Sequence, residues 1–227
     1  MSSPPDHVSA DLGHIDTWLF DLDNTLYPEE SGFMTQVEGK MTDFVEKVTG
    51  LPRQEAFILQ KKYYAEHGLT LTGLIRHHGA DPADFFALHH DLSLEALSQE
   101  PELLIALARL PGRRFVFTNA DDKHAERVMA RLGLTHLFDQ VFHIHSFGYA
   151  PKPDPLGFQR MIDAHGMDPR ATAFFEDSER NLKPAKDLGM TTVLVGPRAR
   201  GSDAAFVDHK THKLAPFLNH ARLKELH

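Results

Sequence analysis

Five short apolar runs punctuate the chain: 15–22 (IDTWLFDL), 114–118 (RFVFT), 141–146 (VFHIHS), 171–175 (ATAFF) and 191–195 (TTVLV). Each is too short for a stable helix and rich in β-branched or aromatic side chains, which predicts a buried strand. Between the later runs the apolar period becomes helical, over His124–Leu132, Pro155–His165 and Asn181–Leu188. Asp121 and Asp122 offer N-caps for the first of these, and Gly133, Gly166 and Gly189 stand where helices stop. Strands alternating with helices of this length predict a parallel sheet covered on both faces. The rhythm breaks from about Ser31 to Ser98, where only helical patterns appear: Phe33–Val48, Arg53–His67, Leu71–His77 and Asp81–Leu97. A further helix, Pro101–Leu110, leads into the second strand. The pattern therefore predicts an α/β core from residues 1–27 and 99–227, with a helical domain, 28–98, inserted after strand one. Residues 1–13, with Pro4 and Pro5, read as a frayed tail. A short edge strand near Ala205–His209 and a helix from about Leu214 complete the chain.

Composition narrows the class. A chain of 227 residues with 41% apolar and 25% charged side chains can bury a full core, so disordered and fibrous classes are excluded. No run approaches the roughly 18 apolar residues of a membrane span. The polar N-terminus lacks the apolar centre of a signal peptide, which predicts a cytoplasmic protein. The absence of cysteine excludes disulfides, thiolate metal sites and cysteine nucleophiles. A net charge of −8 argues against polymeric nucleic acid as a partner. That excess is uneven: residues 28–98 hold 11 acids against 6 bases, and the rest 21 against 18. The core is thus only mildly acidic.

Candidate chemistry lies where the strands end. The first strand runs into Asp21-Leu22-Asp23-Asn24-Thr25, and alternation sends Asp21 and Asp23 toward one side of the edge where open parallel sheets bind ligands. The fourth strand ends in Glu176-Asp177-Ser178. If the two strands are neighbours, three or four carboxylates converge, and such a cluster calls for a hard cation such as Mg²⁺. The alternative for this run is that Asp177 or Ser178 caps the helix that follows, a role compatible with the first. Thr118-Asn119-Ala120 at the end of the second strand offers a hydroxyl, an amide and backbone N–H groups suited to an oxyanion or phosphate. The third strand is followed by Pro151-Lys152-Pro153, which gives one lysine a restricted direction. Together these supply what phosphoryl transfer to a carboxylate needs: a nucleophile, charge compensation, and a second acid to protonate the leaving oxygen.

The runs Phe20-Asp21-Leu22-Asp23-Asn24-Thr25-Leu26-Tyr27, Thr118-Asn119-Ala120, Lys152-Pro153 and Glu176-Asp177-Ser178 resemble the four motifs of the haloacid dehalogenase-like superfamily, over roughly residues 15–197. Asp-Asn-Thr-Leu-Tyr, the stretch Tyr63 to Leu74 and Glu176 to Leu182 resemble its pyrimidine 5′-nucleotidase subgroup. The resemblance implies a Rossmann-like three-layer α/β/α parallel-sheet core with an inserted helical C1-type cap. It implies Asp21 as nucleophile, Asp23 as general acid and base, and Thr118, Asn119 and Lys152 as phosphate-binding residues. Mg²⁺ would be held by the Asp21 side chain, the Asp23 backbone carbonyl and Asp177, with Glu176 direct or through water. Many relatives carry Asp at the position of Glu176. The implied activity is hydrolysis of a small phosphate ester, most closely a pyrimidine nucleoside 5′-monophosphate, through an aspartyl-phosphate.

In the insertion, Tyr63, Tyr64 and Arg76 are the candidate substrate contacts, by stacking or anion binding; His77 and His78 read as solvated. Gly68 and Gly73 suggest turns that bring this segment toward the site. Neither His89-His90 nor His143/His145 comes with a third suitably spaced ligand, so neither reads as a metal site; His143 and His145, on one face of a strand, read as structural. The alternative within the same superfamily is a phosphatase or phosphomutase acting on sugar phosphates or phosphoglycolate. A 2-haloacid dehalogenase needs neither Asp23 nor Mg²⁺, and a phospho-acceptor module needs no helical insertion. A regulatory protein with a dead site is disfavoured, because every needed group is present. The expected state is a monomer or a homodimer, with no sequence feature that supports dimerisation.

Overall fold

The computed structural model describes residues 9–88 and 90–224. Six strands form one parallel sheet: β1 (Thr17–Phe20), β2 (Arg113–Phe117), β3 (Gln140–Phe142), β4 (Thr172–Glu176), β5 (Thr191–Val195) and β6 (His209–Thr211). Their order is β3-β2-β1-β4-β5-β6. The central strand β1 pairs with β2 and β4 on its two sides, and Phe20 lies level with Val116 and Phe175. This register decides the geometry of everything that follows, because β1, β2 and β4 reach the same edge together. That edge, where the winding direction reverses beside β1, is where doubly wound sheets bind ligands.

Strand alternation sorts the core into two layers. Trp18, Phe20, Val116 and Phe175 face one side, where they pack with helices α5 (Pro101–Ala108), α6 (Asp122–Leu132) and α9 (Leu214–His220). Leu19, Phe115, Phe117 and Phe174 face the other, against α7 (Pro155–His165) and α8 (Glu179–Asp187). Phe20 and Phe175 stack at 4.6 Å between ring centroids, an arrangement worth about 1 kcal/mol beyond its buried area.

Between β1 and α5 the chain is helical: α1 (Phe33–Thr49), α2 (Arg53–His67), α3 (Thr70–His78) and α4 (Pro82–Ala87). Three of these match the sequence reading to within a residue. The expected helix Asp81–Leu97 does not hold beyond Ala87. Phe85 and Phe86 belong to the layer shared with the insertion, whereas Leu92 and Leu97 belong to the opposite layer of the sheet. One rigid helix cannot serve both, and the chain unwinds where it changes layer.

Three smaller differences have similar causes. The third strand stops at Phe142 rather than Ser146, because residues 143–149 coil into turns, with the Tyr149 N–H donating to the Ile144 carbonyl at 3.0 Å. His143 and His145 therefore lie beyond the strand, the first partly buried and the second exposed. The edge strand begins at His209, four residues later than expected. Within the predicted frayed tail, Ala10 and Leu12 are buried, and the Leu12 N–H donates to the Arg222 carbonyl at 2.9 Å. Residues 1–8 of that tail and His89 lie outside the described residues.

Candidate active site

Lys152 is the centre of the site. Its side chain is 1% exposed, and its ammonium donates to Asp21 Oδ1 at 2.6 Å, Glu176 Oε2 at 2.8 Å and the Phe117 carbonyl at 2.6 Å. An ammonium has three N–H donors, and all three are thereby used. The rings of Phe117 and Phe174 lie 5.1 and 5.4 Å from the nitrogen, so it meets π faces where it does not meet oxygen. Burial alone would lower the lysine's pKa, but Asp21 and Glu176 overcome this and hold it above its ordinary value. The backbone of Lys152 is fixed as well: its N–H donates to Asn119 Oδ1 at 2.8 Å, and Asn119 Nδ2 donates to its carbonyl at 3.1 Å. The Asn119 amide therefore holds the lysine loop in place.

Asp21 follows β1 directly, with its N–H donating to the Phe175 carbonyl of β4 at 2.9 Å. Its second oxygen accepts from Thr25 Oγ1 at 3.2 Å. Burial, and the negative charge of Glu176, push its carboxyl up to about 7 despite the lysine. Thr118 is buried beside it at the end of β2, where its hydroxyl accepts from the Ala120 N–H. Asp23, two residues along, is held differently: Tyr27 Oη donates to Asp23 Oδ1 at 2.7 Å, and His124 Nε2 lies 2.9 Å from the same oxygen. Burial raises the Tyr27 phenol well above its ordinary pKa, and the Asp23 charge adds to this. For His124 burial acts downward, but Asp23 outweighs it and the imidazole pKa rises.

The third carboxylate, Asp177, pairs with Arg198 at 3.0 Å, and Arg198 also reaches Glu29 at 3.1 Å, where the chain leaves the core for α1. Burial, with Glu176 and Asp21 close by, raises the Asp177 carboxyl well above its usual range. Asp21, Glu176 and Asp177 can bring one oxygen each within 4.8 Å of one another. Among the described residues no other group of three His, Asp or Glu side chains does so, and no histidine joins this one. An all-oxygen set with this crowded negative charge fits a hard divalent cation such as Mg²⁺. At the start of α8, Ser178 occupies the N-cap position without a side-chain cap bond. Its N–H instead donates to Glu176 Oε1 at 3.0 Å.

These groups floor a cavity of about 820 Å³. Its walls toward the insertion are mixed: Met34, Val37, Met41, Leu69, Phe85 and Phe86 alternate with Thr35, Glu38, Gln60, Lys61 and Thr70. Tyr64 lines the cavity beside Arg180, whose guanidinium lies 5.5 Å from its ring and donates to its carbonyl at 3.0 Å. Tyr63 and Arg76 do not line it. Tyr63 is buried within the insertion, its ring against Gly73 and its hydroxyl 2.9 Å from His78, while Arg76 lies exposed on α3. Gly68 does approach the site, at φ +81° and so close to Lys152 that an added Cβ would sit 2.7 Å from its carbonyl oxygen.

Sequence reading brought Asp21, Asp23, Thr118, Asn119, Lys152, Glu176, Asp177 and Tyr64 to this cavity. It missed Thr25, Tyr27, His124 and Arg198, which hold the carboxylates. Tyr27 stands four residues after Asp23, a turn-like spacing that was available as a signal. His124 and Arg198 carry no such local sign.

Residues 15–189 match the haloacid dehalogenase-like hydrolase family, and the chain belongs to it. It is 31% identical over 193 residues to Phosphate metabolism protein 8 of Saccharomyces cerevisiae, a match covering 78% of this chain and 60% of the yeast protein. The chain thus spans less than two thirds of that relative's length. It is 25% identical over 189 residues to the GMP/IMP nucleotidase YrfG of Escherichia coli, covering 81% and 84% of the two chains. The crystal structure of a HAD phosphatase from Thermococcus onnurineus shares the fold, with a TM-score of 0.63 at 22% identity over 92% of this chain and 100% of that one. No helix among the described residues is long and apolar enough to cross a membrane.

Proposed function

We propose that the protein is a Mg²⁺-dependent phosphatase of small phosphate monoesters, acting on nucleoside 5′-monophosphates through an aspartyl-phosphate at Asp21. The observation that carries this reading is the buried Lys152 bridging Asp21 and Glu176 beneath a cavity with room for a nucleoside. Asp21 is the nucleophile, aimed by Lys152 and Thr25. Asp23 protonates the leaving oxygen and then takes a proton from the attacking water. The Thr118 hydroxyl and the backbone after β2 hold the phosphate oxygens. The Asn119 side chain acts indirectly, by fixing the lysine loop. Asp21, Asp177, the Asp23 carbonyl and Glu176 are the residues that would hold Mg²⁺, which supplies positive charge against the phosphate when bound. Residues 28–98 serve as the cap, closing over a core of residues 1–27 and 99–227 to exclude water.

The sequence resemblance favours pyrimidine nucleotides, whereas the bacterial relative is named for GMP and IMP. Release of phosphate from UMP, CMP, GMP, IMP, sugar phosphates and phosphoglycolate, with Mg²⁺ or with EDTA, tests the reading. Mg²⁺-dependent turnover of at least one nucleotide is expected, with pyrimidines ahead of purines. Turnover confined to sugar phosphates or phosphoglycolate would replace the nucleotidase assignment, and silence across the panel would remove the phosphatase one.

A further inference from the structure

Asp23 is restrained in a way that the reaction outlined above does not by itself require. Both Tyr27 and His124 address one of its oxygens, Oδ1, at 2.7 and 2.9 Å. The two rings come from distant parts of the chain. Tyr27 is returned over Asp23 by the turn after β1, in which the Leu26 N–H donates to the Leu22 carbonyl at 3.0 Å. His124 is set in the first turn of α6, its own N–H donating to the capping carboxylate of Asp121 at 3.1 Å. Phe33, the first residue of α1 and wholly buried, packs on both: its ring centroid lies 5.9 Å from that of Tyr27 and 5.9 Å from that of His124. Such a clamp fixes the rotation of a carboxyl group, and it is itself anchored in the core, where Tyr27 and Phe33 are buried.

We propose that His124, with Tyr27, is a positioning residue that keeps Asp23 Oδ1 as a hydrogen-bond acceptor, so that the acid form of Asp23 carries and delivers its proton from Oδ2. A carboxylate only accepts, which assigns the shared hydrogen to His124 Nε2. In the first half-reaction an Asp21 oxygen forms a bond to phosphorus and the ester P–O bond breaks. The bonding pair stays on the leaving oxygen, which takes the proton from Asp23 Oδ2. Asp23 is left as a carboxylate, with both donors still on Oδ1. When water attacks the aspartyl-phosphate, the water oxygen bonds to phosphorus and a water proton passes to Asp23 Oδ2. The bond from phosphorus to the Asp21 oxygen breaks, with its pair left on the Asp21 carboxylate. Neither Tyr27 nor His124 changes protonation in the cycle. Their role is to hold the orientation of the group that does.

The proposal rests on reading Asp23 as the general acid, and the dependence on leaving group separates the two claims. An alkyl ester such as UMP needs its departing oxygen protonated, whereas the p-nitrophenolate of p-nitrophenyl phosphate departs without help. The measurement is kcat/KM on both esters with saturating Mg²⁺, since kcat/KM reports only steps up to the departure of the alcohol. His124→Leu is expected to lower kcat/KM for UMP by about 30- to 100-fold, part of the roughly 10²–10⁴ available from general acid catalysis, and that for p-nitrophenyl phosphate by at least about tenfold less. His124→Gln, whose amide nitrogen can donate near the position of Nε2, is expected to restore UMP turnover to within about fivefold of wild type. Equal losses on the two esters, unchanged UMP turnover in His124→Leu, or no rescue by His124→Gln would overturn the proposal. Asp23→Asn supplies the control. If it discriminates between the esters and His124→Leu does not, the positioning role alone fails. If Asp23→Asn does not discriminate, the general-acid reading fails with it.

Discussion

The floor of the cavity and its roof are built on opposite plans. The floor comes from the adjacent ends of β1, β2 and β4 and from the loop between β3 and α7. Its charged groups are mutually engaged: Lys152 of that loop alone binds Asp21, Glu176 and the Phe117 carbonyl. The roof comes from helices and mixes apolar side chains, Met34, Met41, Phe85 and Phe86 among them, with polar ones such as Thr35, Glu38, Gln60 and Lys61. The floor has little freedom to vary, because removing one charge strands another in a low-dielectric setting. The roof can exchange one apolar side chain for another at modest cost. Under the proposed function the contrast amounts to a division of labour, with reaction chemistry assigned to the sheet and selection among substrates to the helices. The two meet where Gly68 presses on Lys152 and where Arg180 of α8 lies against Tyr64 of α2.

Substitutions can break that contrast or sharpen it. The largest effect is expected at Asp21: Asp21→Asn should lower phosphate release by about a thousandfold or more, as loss of a covalent nucleophile does. Residual turnover within tenfold of wild type in a steady-state assay would contradict the floor's assigned chemistry. Next is Lys152→Met, which leaves Asp21 and Glu176 facing each other without a counter-charge. Urea unfolding in EDTA should show a loss of about 3–5 kcal/mol, and Mg²⁺ should return part of it. Gly68→Ala probes the seam between floor and roof. With φ at +81° and a carbonyl 2.7 Å from the new Cβ, it should cost about 1–3 kcal/mol in thermal unfolding and lower kcat/KM as well. The smallest effect is expected on the roof: Tyr64→Leu should cost under about 1 kcal/mol, the value of an exposed cation–π contact. Its clearer signature should be a raised KM for nucleotides with kcat retained.

The floor should also respond to pH. The Asp21 carboxyl is pushed from an ordinary 3.8 up to about 7 by burial and by Glu176, so the folded chain keeps a proton that the unfolded chain releases. The associated stability is fully present below about pH 4 and is lost as pH rises through 7. In EDTA, the melting temperature of Asp21→Asn relative to wild type should therefore climb between pH 5 and pH 8. A constant difference across that range would show that the buried carboxyl does not titrate there.

The same division explains what the sequence made legible. Thr191–Val195 and Pro155–His165 form the elements their patterns predict, residue for residue, because period and end signals are local. The acidic strand ends were readable because strand register, set by the apolar runs, carries them to one edge. Asp81–Leu97 was misread because its apolar spacing is helical while its two halves serve different layers, a tertiary fact with no local mark. Tyr63 and Tyr64 are adjacent and alike in composition. Only the packing of α2 on α3 determines that the first is sealed against Gly73 and His78 while the second reaches the cavity. His124 and Arg198 escaped notice for a related reason, since each meets its carboxylate across more than 20 residues of chain.

The chain has a single tryptophan, Trp18, set in the middle of β1 with its indole N–H on the Pro111 carbonyl at 2.6 Å. The helices of the insertion contain none, although they hold Tyr63 and Tyr64. Indole emission therefore reports on the sheet alone. A loosening of the helical roof would register in far-ultraviolet dichroism and in the phenolic absorbance while leaving the indole spectrum unchanged. The molecule thus carries a built-in optical label by which the melting of its two halves can be timed separately.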